Sequence, residues 1–386
     1  MTIAVGLLNP TGACAAASTL AATPAPLHVP TLVRGQEGAW QAAAATIPGH
    51  PTQRPSMDRP VVRDLIPIER VWARLEAVEE GLRRATTSTD PFLTGIAQHL
   101  LAAGGKRYRP LLAQVAAELG GSPGEGPVAA GVAVELVHLG SLYHDDVIDE
   151  AASRRGAVSV NANWSNTVAI LAGDFLLARA SETAAPLGVE AVALLARTYA
   201  DLCEGQILEL QLAGNTEQGT GGYFRVVALK TASLIRTSAR LGAMAGGAAP
   251  TEIEAVSRWA HEVGLAFQIT DDVLDLVATA EFLGKPAGSD VNEGTFTLPV
   301  LCALEGSEGA EVRRLLAGGR PYPPEAVAEV ISLARAGGHV ERALEVALGH
   351  TAAAGAALEA LPPGPVAGVL HALGDYLIAR VEGARG

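Results

Sequence analysis

Two acidic runs constrain this chain more than any other feature. Asp145-Asp146-Val147-Ile148-Asp149 and Asp271-Asp272-Val273-Leu274-Asp275 share the form D-D-x-x-D. Each is set among apolar residues: Leu142, Val147 and Ile148 around the first, and Phe267, Ile269, Val273, Leu274 and Leu276 around the second. On a helix, residues four apart are about 40° out of register, so the first and last aspartates of each run share a face. Like charges at that spacing repel, and carboxylates on an apolar wall need a compensating charge, most often a hard divalent cation. A single run reads as a solvated helix face. Two near-identical runs, both inside apolar helices, call instead for two acidic walls around one site.

The rest of the chain supplies helices to carry them. Val71, Leu75, Val78 and Leu82 form an amphipathic stripe over 68–84, and further helical segments are expected near 91–103, 110–119, 127–150, 164–182, 187–213, 223–246, 251–278, 297–304, 324–336, 338–358 and 365–382. Pro110 reads as a first helical residue. No alternating β-branched run is long enough for a sheet, and no solenoid period is present. The expected fold class is all-α, a helical bundle. Mean hydropathy is +0.25, but no uninterrupted apolar run reaches membrane-spanning length, and Asp174 and Arg179 break the best candidate, so no transmembrane helix is expected.

Residues 1–57 differ in kind. Their only charged residues are Arg34, Glu37 and Arg54, and proline and alanine tracts erase any period. This stretch is expected to be a disordered, low-complexity tail ahead of one catalytic domain at 58–386, with a start at Met57 as the open alternative. A signal peptide would need a basic opening segment that is absent here. The three cysteines form neither a disulfide framework nor a zinc pattern, which favours a reducing, cytoplasmic setting. The net charge of −13 argues against a nucleic-acid partner.

An anionic substrate remains compatible with that charge where cations cluster locally. Lys106, Arg107 and Arg109 sit on a glycine-rich turn just before a helix start, which is a favourable anion site. Arg154 and Arg155 follow the first acidic run, while Lys230, Thr231 and Lys285 flank the second. Mg²⁺ takes one or two carboxylates per ion and completes its shell with substrate phosphate oxygens. Two aspartate walls with these cations therefore point to a diphosphate bridged by several Mg²⁺ ions.

The motifs GGKRYRP at 104–110, ELVHLGSLYHDDVIDEAASRRG at 135–156, LAGDFLLA at 171–178, LKTASLI at 229–235, FQITDDVLD at 267–275 and GKPAGSDVNEGTFTLP at 284–299 resemble those of the trans-isoprenyl diphosphate synthases, the polyprenyl synthetase family. The resemblance runs from about residue 68 to the C-terminus. It implies the isoprenoid-synthase helical bundle around a central cavity, and head-to-tail addition of isopentenyl diphosphate to an allylic diphosphate with release of pyrophosphate. It further implies that Asp145, Asp149, Asp271 and Asp275 hold Mg²⁺, supported by Asp146 and Asp272. Arg154, Lys230, Thr231, Gln268 and Lys285 would contact the allylic diphosphate. Lys106, Arg109, His138 and Arg155 would hold isopentenyl diphosphate. A homodimer is implied as well. Thr295 stands where members often carry a lysine that assists the diphosphate, so that contact does not transfer.

Competing readings are a class I terpene cyclase, a non-catalytic synthase subunit and a short-chain farnesyl or geranylgeranyl synthase. The glycine-rich cation turn and the second intact acidic run weigh against the first two. The resemblance implies that chain length is limited five and four residues before the first aspartate, at Gly140 and Ser141. Both are small, so a medium or long all-trans product is expected, such as a menaquinone side-chain precursor.

Overall fold

The computed structural model describes residues 59–122, 124–278 and 288–385. The expected tail and Lys285 lie outside them. The long helices are α1 (Glu69–Ala85), α2 (Tyr108–Ala117), α3 (Gly126–Ile148), α4 (Asn166–Ala184), α5 (Val189–Leu212), α6 (Thr220–Val227), α7 (Ser233–Gly246), α8 (Pro250–Val277), α9 (Leu298–Glu305), α10 (Gly309–Leu316), α11 (Pro324–Ala336), α12 (His339–Leu358) and α13 (Pro365–Arg385). The all-α expectation holds, and most boundaries fall within two residues of those read from periodicity. Two details differ. Tyr108 rather than Pro110 opens α2, with Arg107 in the left-handed region at φ 51° as its N-cap. Proline is tolerated there because the first four N–H groups of a helix have no partner in any case. The second difference is a hairpin, β1 (Ser153–Arg154) paired antiparallel with β2 (Ala157–Val158).

Local chemistry sets the ends of the central helices. The Ser165 side chain accepts from the Val168 N–H and caps α4. Glu252 reaches back to the Ala249 N–H at 2.7 Å, with Pro250 at the first position of α8. Gly247, at φ 78°, closes α7 with bonds to the Ala243 and Met244 carbonyls.

α7 lies in the middle and packs against α2, α3, α5 and α8. Its approach to α2 depends on glycine. A Cβ at Gly242 or Gly246 would fall inside the van der Waals shell of the Ala113 or Ala117 carbonyl. α3 packs most extensively on α4, and α8 on α12. Among the described residues three apolar cores result: one around α3, α4 and α5, one joining α2, α7 and α8 to α12 and α13, and one joining the end of α8 to α9–α12. α3 has the length and composition of a membrane span, but 67% of its apolar window is buried inside the protein. It is a core helix of the bundle.

Candidate active site

A cavity of about 720 Å³ opens where α3, α5, α6 and α8 converge. Asp149 and Arg154 line one side, Glu209 of α5 and Lys230 another, Gln268 and Asp272 a third, and the segment 289–297 closes it. Lys230 and Thr231 lie in a π-helical turn, Ala228–Ala232, between α6 and α7. Such a turn re-aims side chains and recurs at functional sites. Here it aims Lys230 at Glu209, with which it forms an ion pair, and aims Thr231 at Gln268, whose Oε1 accepts from the hydroxyl at 2.8 Å. Gln268 in turn donates to Asp272 Oδ1 at 2.8 Å, and the Tyr223 hydroxyl donates to Asp272 Oδ2 at 2.6 Å.

The first acidic run ends α3. Asp146 is fully buried and accepts from Arg154 Nε at 2.6 Å, leaving its Oδ2 buried without a partner. The hairpin makes that contact possible. Arg155 at φ 54° and Gly156 at φ 79° form its tight turn and send Arg154 back over α3. Burial, reinforced by Asp149 and only partly relieved by Lys230 and Arg154, raises Asp145 to about 6. Burial also acts against the Lys230 ammonium, but Glu209, Asp145 and Asp149 outweigh it and its pKa is raised.

The second run is oriented differently from the periodicity reading. Gln268 and Asp272, four residues apart, form the row that faces the cavity. Asp271 faces α13 and pairs with Arg380, whose guanidinium lies 5.6 Å from the Phe267 ring centre. Asp275 is buried and accepts from Ser289 Oγ at 3.0 Å. Burial, reinforced by Asp290, raises Asp272 to about 8 despite the Tyr223 and Gln268 hydrogen bonds. Neither Asp271 nor Asp275 lines the cavity, because a third helix, not just the helical period, sets the rotation of α8.

Arg109, His138 and Arg155 gather beside α3. Arg155 Nη2 lies 3.4 Å from His138 Nε2. Burial foremost, then Arg109, Arg155, Arg107 and Arg154, pushes His138 well below its ordinary value, so it is neutral and able to donate one hydrogen bond. Arg109 Nε is buried without a partner. Lys106 is exposed on the preceding loop. Arg107, one of the three cations on that loop, is spent on structure. It bonds Glu79 at 2.6 Å and Glu135 at 3.1 Å, both through α1–α3 packing. His144 is likewise a tie between helices, with Nδ1 3.1 Å from the Tyr199 hydroxyl and Nε2 3.1 Å from the Ile170 carbonyl.

Sequence reasoning missed Glu209, Tyr223 and Arg380. Nothing in the linear sequence links Arg380 to Asp271, 109 positions away. Gly140 also departs from expectation. It faces α4, where a Cβ would lie 3.1 Å from both the Gly173 carbonyl and Leu177.

Among the described residues no three carboxylate, histidine or cysteine side chains form a metal cage. The aspartate chemistry still fits a divalent cation. Burial foremost holds both Asp145 and Asp272 above their ordinary range, so a nearby cation would favour their charged forms, and Asp146 keeps an unpartnered buried oxygen. Mg²⁺ needs only one or two carboxylates when phosphate oxygens complete its shell.

Known proteins share this sequence pattern and fold. Residues 90–334 match the polyprenyl synthetase family model. The chain belongs to the polyprenyl synthetase family. It is 43% identical over 314 residues to the nonaprenyl diphosphate synthase of Mycobacterium tuberculosis, covering 80% of this chain and 93% of that one. It is 41% identical to heptaprenyl diphosphate synthase component 2 of Geobacillus stearothermophilus, covering 78% of this chain and 94% of that one. The crystal structure of polyprenyl synthase from Caulobacter crescentus, complexed with calcium and isoprenyl diphosphate, superposes with a TM-score of 0.77 at 32% identity, covering 85% of this chain and 99% of that one. This polyprenyl synthetase is therefore a polyprenyl diphosphate synthase, a trans-prenyltransferase of a family that uses divalent metal ions.

The cation cluster carries a pH signature. A histidine whose folded pKa is depressed stabilises the fold fully above its ordinary value near 6.5, and that contribution is lost as pH falls below 6.5. His138→Gln should therefore flatten the acid limb. Wild type should lose more unfolding free energy between pH 6.5 and 5 than the variant does, by urea denaturation. Parallel curves for the two proteins would contradict a buried neutral His138.

Proposed function

We propose that this domain condenses isopentenyl diphosphate with an allylic diphosphate in the cavity at the ends of α3 and α8, releasing pyrophosphate and extending an all-trans chain beyond twenty carbons. The observation that carries the reading is the Thr231–Gln268–Asp272–Tyr223 network and the Lys230–Glu209 pair facing the Asp145–Asp149 end of α3.

In this reading Asp145 and Asp149 hold Mg²⁺ and the allylic diphosphate together with the second run, where Asp272 faces the cavity and Asp271 and Asp275 join on turning away from Arg380 and Ser289. When bound, the metal supplies the charge that stabilises the departing pyrophosphate. Arg154, Lys230, Thr231 and Gln268 orient that diphosphate, and Lys285 joins them from the segment outside the described residues. Arg109, His138, Arg155 and Lys106 hold isopentenyl diphosphate. The neutral imidazole donates a hydrogen bond, and the guanidinium groups carry the charge. Apolar residues of the surrounding helices would keep water from the allylic cation formed when the C–O bond breaks. The isopentenyl double bond attacks, and its proton leaves to the released pyrophosphate, so no side-chain base is required. Thr295 lines the cavity but brings no charge, which leaves that work to Lys230 and Arg154.

Exposed Ile170 and Leu171 on α4 and exposed Ile207 and Leu210 on α5 are apolar residues that a homodimer in the cytoplasm would cover. The nonaprenyl and heptaprenyl relatives support the longer product, with Ser141 as the small residue one turn before Asp145. Incubation with farnesyl diphosphate and isopentenyl diphosphate, then dephosphorylation and chromatography, should give alcohols longer than twenty carbons only when both substrates are present. A product that stops at fifteen or twenty carbons with excess isopentenyl diphosphate would refute the length. Product from farnesyl diphosphate alone would mean a cyclase.

The domain proposal has its own check. A chain starting at Met57 should match the full chain in turnover and melting temperature, because residues 1–57 lack the period and charge of a packed element. A large drop in either would make that segment part of the working enzyme.

A further inference from the structure

A second groove, of about 620 Å³, lies between α5, α7, α8 and the small residues of α12. It is lined by Arg197 of α5, Arg236 and Arg240 of α7, and Arg258 of α8. Convergence of four guanidinium groups is unusual in a chain of net charge −13. Its two carboxylates are already engaged. Glu254 pairs with Arg240 at 3.1 Å, and Glu262 accepts from or shares a proton with His350 at 2.7 Å. Arg197, Arg236 and Arg258 have no hydrogen bond or ion pair among the described residues. Arg236 is half-buried, so its unpaired charge is costly to hold. His261 also lines the groove, and its Nδ1 is buried without a partner. None of these groups lines the first cavity.

We propose that this groove binds a phosphorylated anion at a site separate from the reaction centre. Planar guanidinium groups pair bidentately with phosphate oxygens, and a neutral imidazole N–H adds a neutral donor. Several guanidinium groups in one groove match the many oxygens of a diphosphate or a lipid phosphate headgroup better than the two of a carboxylate. Such an anion would bear on the active site through shared helices. Arg236 follows the π-turn that carries Lys230 and Thr231, and His261 precedes Gln268 on α8.

The test is calorimetric titration of pyrophosphate into the full chain in excess chelator, where the aspartate runs cannot retain it through metal. Wild type should show a component that Arg197→Gln/Arg236→Gln weakens at least tenfold and that Lys106→Gln/Arg109→Gln leaves intact. Turnover at saturating substrate should be unchanged in the Arg197→Gln/Arg236→Gln protein. A parallel arm measures cosedimentation with phosphatidylglycerol vesicles. Loss in the groove variant there assigns the phosphate to a lipid, whereas loss only in the pyrophosphate arm assigns it to the free anion. Should the double variant fail to fold by circular dichroism, exposed Arg197→Gln alone serves, with a smaller loss expected. Pyrophosphate and vesicle binding both unaffected in a folded groove variant would overturn the proposal, as would a wild type whose only pyrophosphate site disappears in Lys106→Gln/Arg109→Gln.

Discussion

Asp145→Ala should lower kcat/KM by about a thousandfold while the protein stays folded. Loss of one ligand set removes several kcal/mol of charge stabilisation from the departing pyrophosphate, and each ~1.4 kcal/mol is tenfold in rate. The structure separates this from misfolding. Asp145 is raised to about 6 by burial, so its contribution to metal-free stability is lost as pH rises from its ordinary value near 3.8 through 6. At pH 8 the alanine variant should therefore unfold no more easily than wild type. Steady-state kinetics at saturating Mg²⁺ and urea denaturation in chelator provide the two readouts. Turnover within tenfold of wild type would defeat the metal assignment. A large fall in stability would show that Asp145 is structural. Asp271→Ala makes a useful companion, because it also frees Arg380. If the Asp271–Arg380 pair closes α13 over the site, that variant should raise KM as well as lower kcat.

The largest effect on stability is expected at the α2–α7 contact. Gly242→Val should cost about 3 kcal/mol or more, since overpacking a tight interior typically costs 1–3 kcal/mol and the obstacle here is backbone. The Cβ would meet the Ala113 carbonyl and Cα, and neither can rotate away as a flexible side chain could. α7 cannot retreat cheaply, because its other faces hold α3, α5 and α8. A lower urea midpoint at unchanged slope is the expected signature. Gly349, which has nothing within 4 Å of a built Cβ, supplies the control, and Gly349→Ala should be nearly neutral or mildly stabilising. Equal losses at the two positions would mean that helix propensity, not the close approach, explains the glycine.

Much of the bundle is legible in the sequence. Apolar residues at helical spacing and the Gly/Pro punctuation placed α3, α4, α5, α8, α11 and α12 to within about two residues. The hairpin at Ser153–Val158 was not legible, because two-residue strands are too short to show alternation. The break between α6 and α7 escaped notice for a related reason. A π-turn adds one residue to a helix without disturbing its composition, so 223–246 reads as continuous.

The candidate site divides along the same line. Sequence alone was enough to mark the two acidic runs, by their conflict of charge with apolar surroundings, the cation turn at 104–110, by its glycines ahead of a helix start, and the Lys230–Thr231 pair, by its place near the second run. It could not assign partners. Arg107 and Arg109 look alike on one loop, yet Arg107 is held by Glu79 and Glu135 while Arg109 keeps an unpartnered nitrogen. It could not choose which edge of α8 meets the cavity, since Asp271 and Asp272 differ by only about 100° of rotation. Tertiary packing made that choice. Arg380 of α13 takes Asp271, and Tyr223 of α6 takes Asp272. Periodicity records the angle between residues of one helix, whereas the rotation of that helix against its neighbours is a long-range quantity, fixed only when the helices pack.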